Sequence, residues 1–182
     1  MGKIKKAAAL LLCAAALAGC SDTKKAPETQ QVHNTLPSET SETTAFTPQK
    51  YIITCAELAY KTIHEMEAEL PNTMEVTDDT MISDVLGYDM EKAEDFSVYM
   101  QMISTELFEL TVIRAAEDDI NGFKAMLEDR RKYLREQAAY YPSQVAAADA
   151  CVVGELNGVC YLICSDKAEE LEKKLMYFIM RN

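Results

Sequence analysis

Basic residues, glycine and histidine are all scarce in this chain, and each scarcity removes a class of function. Eighteen Lys and Arg stand against 30 Asp and Glu, a formal charge of −12. Nucleic-acid binders need a basic stripe to displace counterions from phosphates, so no nucleic-acid partner is expected. Electrostatic docking on anionic lipid fails for the same reason. Only six glycines occur, and none builds a Gly-x-Ser-x-Gly elbow or a loop that could cradle phosphate. The two histidines, His33 and His64, lie far apart, and no Cys or His spacing fits a zinc site or a Cys-x-x-Cys redox pair. No cofactor is therefore expected.

What is present begins with an address. Lys3, Lys5 and Lys6 precede an apolar core from Ala7 to Ala16, and small residues lead to Cys20. That is the three-zone pattern of an export signal. The core is too short to span about 30 Å of hydrocarbon, so it reads as a cleaved leader. Leu17-Ala18-Gly19-Cys20 resembles the lipobox of bacterial lipoproteins, in which the cysteine thiol is lipidated and becomes the first residue. The resemblance implies residues 1–19 as signal peptide and Cys20 as the membrane anchor, on the extracytoplasmic face. An ordinary secretory cut near Ala16 or Ala18 is the alternative. Removing those 19 residues takes away three lysines and no acid, which moves the formal charge from −12 to −15. Such a charge serves solubility in an exported protein.

Residues 20–50 read as a tether. Between Ser21 and Gln49, thirteen of 29 residues are Ser, Thr or Pro, and the apolar ones have no period. A stretch of that composition cannot bury enough surface to offset its ordering entropy. As a coil it would hold the domain on the order of 30 Å from the bilayer. His33 lies within it as a solvated side chain.

Residues 51–182 have the length of one domain that can bury a core without disulfides. A helix is predicted from about Thr54 to Leu70, stopped by Pro71, with Ile52, Cys55, Ala56, Ala59, Ile63, Met66 and Leu70 inward. His64 on its surface reads as solvated. Between Glu75 and Asp95 there are eight carboxylates and one lysine, Lys92. A short helix near Asp79 to Leu86 is predicted there, capped by Asp78 or Asp79 and stopped by Gly87. The helix-loop-helix calcium pattern is absent. The patch reads as a solvated acidic face, with calcium at Asp84, Asp89 and Glu91 as the sharper alternative.

Two strands are predicted next, Phe96 to Ile103 and Leu107 to Ala115, because apolar and polar residues alternate through both. A helix from Glu117 to about Tyr140 follows, acidic at its start and basic later, as the helix dipole favours. Its Arg130, Arg131, Lys132 and Arg135 read as solvated cations. Tyr140-Tyr141-Pro142 should end it and open an alanine-rich linker. A second hairpin is expected, Ala150 to Glu155 and Val159 to Cys164, turning at Asn157-Gly158, where both residues tolerate positive φ. The last helix should run from Asp166, as its cap, to Met180.

The hairpin register matters for the cysteines. If Leu156 faces Val159, Cys151 falls opposite Cys164, at a position where side chains lie closest. A cross-strand disulfide between Cys151 and Cys164 is one reading, since exported proteins can keep disulfides; two buried thiols is the other. Cys55 and Cys160 have no assigned partner.

The element order helix, helix, strand pair, helix, strand pair, helix predicts an α+β fold. It would hold one antiparallel sheet of about four strands, two hairpins, with helices packed on one face. The chain resembles the bacterial lipoproteins of Gram-positive anaerobes that carry domain of unknown function 4358. The likeness rests on Leu86-Gly87-Tyr88-Asp89, Glu94-Asp95-Phe96-Ser97-Val98-Tyr99, Tyr141-Pro142-Ser143-Gln144-Val145 and the strand from Gly158 to Asp166, together with the lipobox. The cysteines at 151, 160 and 164 depart from the apolar or aromatic residues expected there. The resemblance supplies no activity.

The expected function is that of a lipid-anchored, non-enzymatic binding or accessory module with a protein partner at the cell envelope. A surface enzyme working through carboxylates and a thiol-disulfide envelope protein are the alternatives. An enzyme requires a concave site with perturbed acids or His64, a binding module an exposed apolar groove, and a thiol protein an accessible sulfur pair.

Overall fold

The computed structural model describes residues 52–182. The leader, Cys20, the Ser/Thr/Pro-rich segment and His33 lie outside the described residues. The elements in order are α1 (Cys55–His64), β1 (Thr73–Glu75), β2 (Ala93–Gln101), β3 (Glu109–Ala115), α2 (Ile120–Tyr133), α3 (Pro142–Asp149), β4 (Val152–Leu156), β5 (Val159–Cys164) and α4 (Ala168–Met180).

The expected antiparallel α+β sheet is present, with five strands and not four, in the order β1-β2-β3-β5-β4. The added strand, β1, pairs with β2 through Thr73↔Gln101, Met74↔Met100 and Glu75↔Tyr99. The second hairpin turns at Asn157 and Gly158, both at positive φ, and its register begins with Leu156↔Val159 as expected. At Gly154↔Tyr161 the tyrosine ring crosses the glycine so closely that an added Cβ would overlap it. Tyr161 can then donate its hydroxyl to Glu172 of α4 at 2.9 Å.

Helices cover both faces of this sheet, which corrects the one-face expectation. On one side Phe108, Leu110, Val112, Val159, Tyr161 and Ile163 pack with Leu58, Ile63, Leu171 and Leu175 of α1 and α4. On the other, Val98, Ile113, Cys160, Leu162 and Cys164 pack with Phe123 and Leu127 of α2 and with Ile82, Leu86 and Tyr88. The reason is in the central strands: every residue of β5 is buried, and all of β3 except Arg114. Strands apolar on both alternations need cover on both sides. Each buried Leu, Ile or Val contributes about 1.5–3 kcal/mol relative to exposure.

Local chemistry sets the remaining boundaries. A capping box starts α1: Thr54 Oγ1 accepts from Glu57 N at 3.2 Å, and Glu57 Oε2 accepts from Thr54 N at 3.0 Å. That helix stops at His64, short of Leu70, with a separate turn at Glu67–Glu69; Ile52 is exposed and Ile53 takes the inward place. Asp78 Oδ1 accepts from Met81 N at 2.8 Å, capping the predicted short helix, and Gly87 ends it at φ +75°. The helix predicted for Glu117 to Tyr140 is divided into a turn at Glu117–Asp119, α2, and a wider π turn at Leu134–Ala138. The predicted alanine-rich linker is instead α3, with Pro142 at its first position. Asp166 does not cap α4, since Ser165 Oγ takes the Lys167 N–H at 3.1 Å.

The largest departure from expectation is a buried ion pair. Glu109, on the alternation expected to face water, is fully buried. Arg130, expected as a solvated cation, is buried against it through Nε at 3.1 Å and Nη2 at 2.7 Å to Oε2, and Nε at 3.2 Å to Oε1. Tyr88 donates its hydroxyl to Glu109 Oε1 and accepts from Thr111 Oγ1. Burial works against the Arg130 charge, yet the Glu109 carboxylate holds its pKa above the ordinary value. Burial first, then the Glu109 charge, pushes the Tyr88 hydroxyl well above its ordinary range.

Removing one member of such a pair strands the other without water. Glu109→Ala and Arg130→Ala should each cost about 3–5 kcal/mol in urea unfolding, whereas Glu109→Leu with Arg130→Met should recover most of the loss.

Candidate functional site

Two polar regions compete for the role of functional site, and burial separates them. The Tyr88-Glu109-Arg130 cluster is closed. Every buried side-chain nitrogen and oxygen among the described residues has a hydrogen-bond partner, which leaves the cluster no unpaired group for a ligand. Its work is to tie three elements together. Other residues that carried the family likeness do the same. Asp95 Oδ2 accepts from Cys55 N at 2.6 Å, pinning the start of α1 to β2. Buried Gln144 accepts from Tyr140 N and Tyr141 N at 2.9 and 3.1 Å and donates to Ser104 O at 2.9 Å.

The open region lies along the β1 edge. Among the described residues β1 pairs only with β2, and its other side carries no strand. Two grooves flank it. On the α1 side, a hollow of about 460 Å³ is lined by Tyr60, His64, Glu67, Glu75, Tyr99 and Met102 among others. Tyr60 and His64 stack with centroids 5.5 Å apart, and His64 Nδ1 lies 3.2 Å from Glu67 Oε2. Ser97 Oγ donates to Glu75 Oε1 at 3.0 Å, which fixes the carboxylate. Burial, then Glu75 and Tyr60, raises the Tyr99 hydroxyl.

On the opposite side, a hollow of about 510 Å³ is lined by Met74, Val76, Met81, Val85 and Met100 together with polar residues that include Glu75 and Asp78. Met74 and Val85 are 51% and 61% exposed, and Met102 at the strand's far end is 62% exposed. Methionine is flexible and polarisable, and such surfaces adapt to varied partners. The edge is built by two sequence features. Pro71 ends the preceding helical stretch, and the short capped helix after Val76 folds Met81 and Val85 back beside the strand.

The sequence-predicted site residues fare differently. His64 does reach a groove with carboxylates, but its side chain and that of Glu67 are 63% and 75% exposed. The pair therefore stands in open water and not in an enclosed cleft of the kind that holds a substrate. Asp84, Asp89 and Glu91 do not converge: no group of three or more metal-ligating side chains forms among the described residues. Cys151 and Cys164 stand level across the hairpin as free, buried thiols. Cys164 donates to Ala147 O at 3.6 Å. Its pKa is pushed far up, first by the hydrogen bond with Cys151 and then by burial. Burial pushes Cys55 up to about 12 and Cys160 to about 11. Reactive cysteines need the opposite environment.

The methionine groove went unread in the sequence. A three-residue strand is too short for an alternation to register, and the only available signal was apolar Met74 and Val76 bracketed by Pro71 and the acidic helix cap.

The raised thiols set an alkaline limit. The unfolded chain releases these protons from about pH 9 upward while the folded chain keeps them, so their contribution is complete below that pH. It should fall as pH rises toward 11–12. Urea midpoints should drop over this range, less steeply in Cys55→Ala. At pH 8, iodoacetamide should label Cys55, Cys160 and Cys164 only after denaturation.

Comparison with known proteins places the scaffold in a family. The pattern of the family described as a domain of unknown function, DUF4358, matches residues 66–165. That span runs from the end of the first helical region through β5; α1 and α4, which cover one face, fall outside it. No curated protein and no solved structure matches the chain. With more than half of its length matched, the chain belongs to the DUF4358 family.

Proposed function

We propose that the protein is a binding or accessory module at the cell envelope, lipid-anchored on the extracytoplasmic face through Cys20, and that it meets a protein partner along the β1 edge. The observation carrying this reading is the exposed methionine and valine surface beside β1, the strand at one edge of the sheet. Apolar residues gathered in one open groove mark interaction sites more often than scattered ones do. The lipobox and the Ser/Thr/Pro-rich stretch support the anchor, and two acyl chains give lasting attachment where one holds marginally. Among the described residues no helix is long and apolar enough to cross a membrane.

Placing a photo-crosslinking amino acid at Met81 or Val85 in intact cells should give discrete protein adducts, while Lys173, exposed on α4, should give none. Equal labelling at all three positions would sink the site. Met74→Asp should abolish the adducts while shifting stability by no more than about 0.5 kcal/mol, as is usual at exposed positions. Cys20→Ala should abolish fatty-acid incorporation and move the protein from the detergent phase to the aqueous phase.

A further inference from the structure

We infer that the β1 edge takes an extended segment of the partner as an added strand, and that this segment carries cationic and apolar side chains in alternation. The inference rests on the binding reading above and specifies its ligand. Three observations lead to it.

The first is hydrogen-bond parity. Met102 N donates to Asn72 O and Val76 N to Val98 O, both at 2.8 Å. With Met74 opposite Met100 between them, the backbone groups of residues 72, 74 and 76 turn inward to β2. The N–H and C=O groups of Thr73 and Glu75 therefore point to the open edge. Strand addition uses such groups for affinity and the flanking pockets for alternate side chains.

The second is that the two flanks differ in chemistry. On the α1 side the rings of Tyr60 and Tyr99 and the carboxylates of Glu67 and Glu75 line one hollow. Aromatic faces and carboxylates together suit a Lys or Arg head. On the other side Met74, Met81, Val85 and Met100 share the lining with polar residues that include Glu75 and Asp78; its apolar portion suits an apolar side chain. Successive residues of an added strand point to opposite faces, so the ligand reads as alternating cation and hydrophobe.

The third is charge. A second copy of this chain would bring Glu67 and Glu75 against a molecule of the same net negative charge, and anionic lipid would be repelled likewise. A cationic segment is attracted.

The test uses the full chain in detergent and three fluorescent, end-blocked heptapeptides: alternating Lys and Val, alternating Glu and Val, and the Lys-Val peptide with a central proline. In fluorescence anisotropy the Lys-Val peptide should bind at least tenfold tighter than either other, and more weakly as salt rises. Hydrogen exchange should slow at the Thr73 and Glu75 amides. Glu67→Gln and Thr73→Pro should each weaken binding at least fivefold, the first through the hollow and the second through the lost edge donor. Equal affinity for the three peptides, or binding without protection of β1, would overturn the inference. So would sedimentation showing a dimer with those amides protected, which would make a second copy the occupant. Cellular crosslinks from positions 81 and 85 that persist alongside a failed peptide ranking would leave the binding site standing and remove only the ligand chemistry.

Discussion

A carboxylate at the centre of the sheet governs the architecture. Glu109 opens β3, the middle strand of the five, and its side chain is shut off from water. An ion in that position is tolerable only with a partner and with its lone pairs satisfied. Arg130 supplies the charge from α2 and Tyr88 supplies a hydroxyl from the segment before β2. Three parts of the chain distant in sequence are thus held to one point, and the guanidinium also lies over the Tyr88 and Tyr133 rings, at 5.9 and 5.2 Å from their centroids. A purely apolar contact would leave α2 free to slide; two-pronged geometry to Glu109 does not.

The same fixed point shapes the open edge. Tyr88 closes the arm that begins at Val76, and Ile82 and Leu86 in that arm are buried on the α2 face. Helical spacing then leaves Met81 and Val85, the residues just before each of these, toward solvent and beside Met74. The groove wall is therefore a by-product of anchoring: the inward residues of a single helical turn bury, and their neighbours become the exposed apolar surface. On the other flank the wall is the C-terminal end of α1, whose start is tied to β2 through Asp95. The backbone of both flanks is thus tied to the core, and a wall anchored in this way loses less entropy on binding than a mobile loop would.

Sequence pattern revealed much of this fold and little of the groove, for physical reasons. Asn157-Gly158 dictated its hairpin because both residues accept positive φ, and the resulting register carried Cys151 level with Cys164 without any long-range information. The Gly87 stop is likewise local and was legible, whereas the capping box at Thr54 and Glu57, equally local, went unread, and Ser165 took the capping place expected of Asp166. Cover on both faces was legible in β5, Val-Cys-Tyr-Leu-Ile-Cys, which has no polar alternate at all. It was obscured in β3, where Glu109 and Thr111 imitate a solvent face. A charge that is neutralised only by a residue 21 positions away cannot be distinguished from a surface charge by periodicity. Helix α3 escaped because an alanine-rich stretch has almost no apolar contrast between its faces; its start comes from Pro142 and the Gln144 side chain.

The acidic character of the chain acquires a role once the edge is considered with the proposed anchor. A contact through three strand residues and two shallow hollows is small, and small contacts in solution give weak, short-lived complexes. Confinement of two proteins to one membrane surface changes that arithmetic, because the effective concentration of a tethered pair can lie in the millimolar range. Weak affinity then suffices, and the problem becomes one of choosing among neighbours. In the proposed complex an excess of carboxylates would answer it: anionic surfaces would be repelled and cationic segments steered toward the edge, with the methionines admitting varied apolar shapes once contact is made. On the proposed reading, selectivity by charge and tolerance by methionine would divide the recognition between the two faces of one short strand.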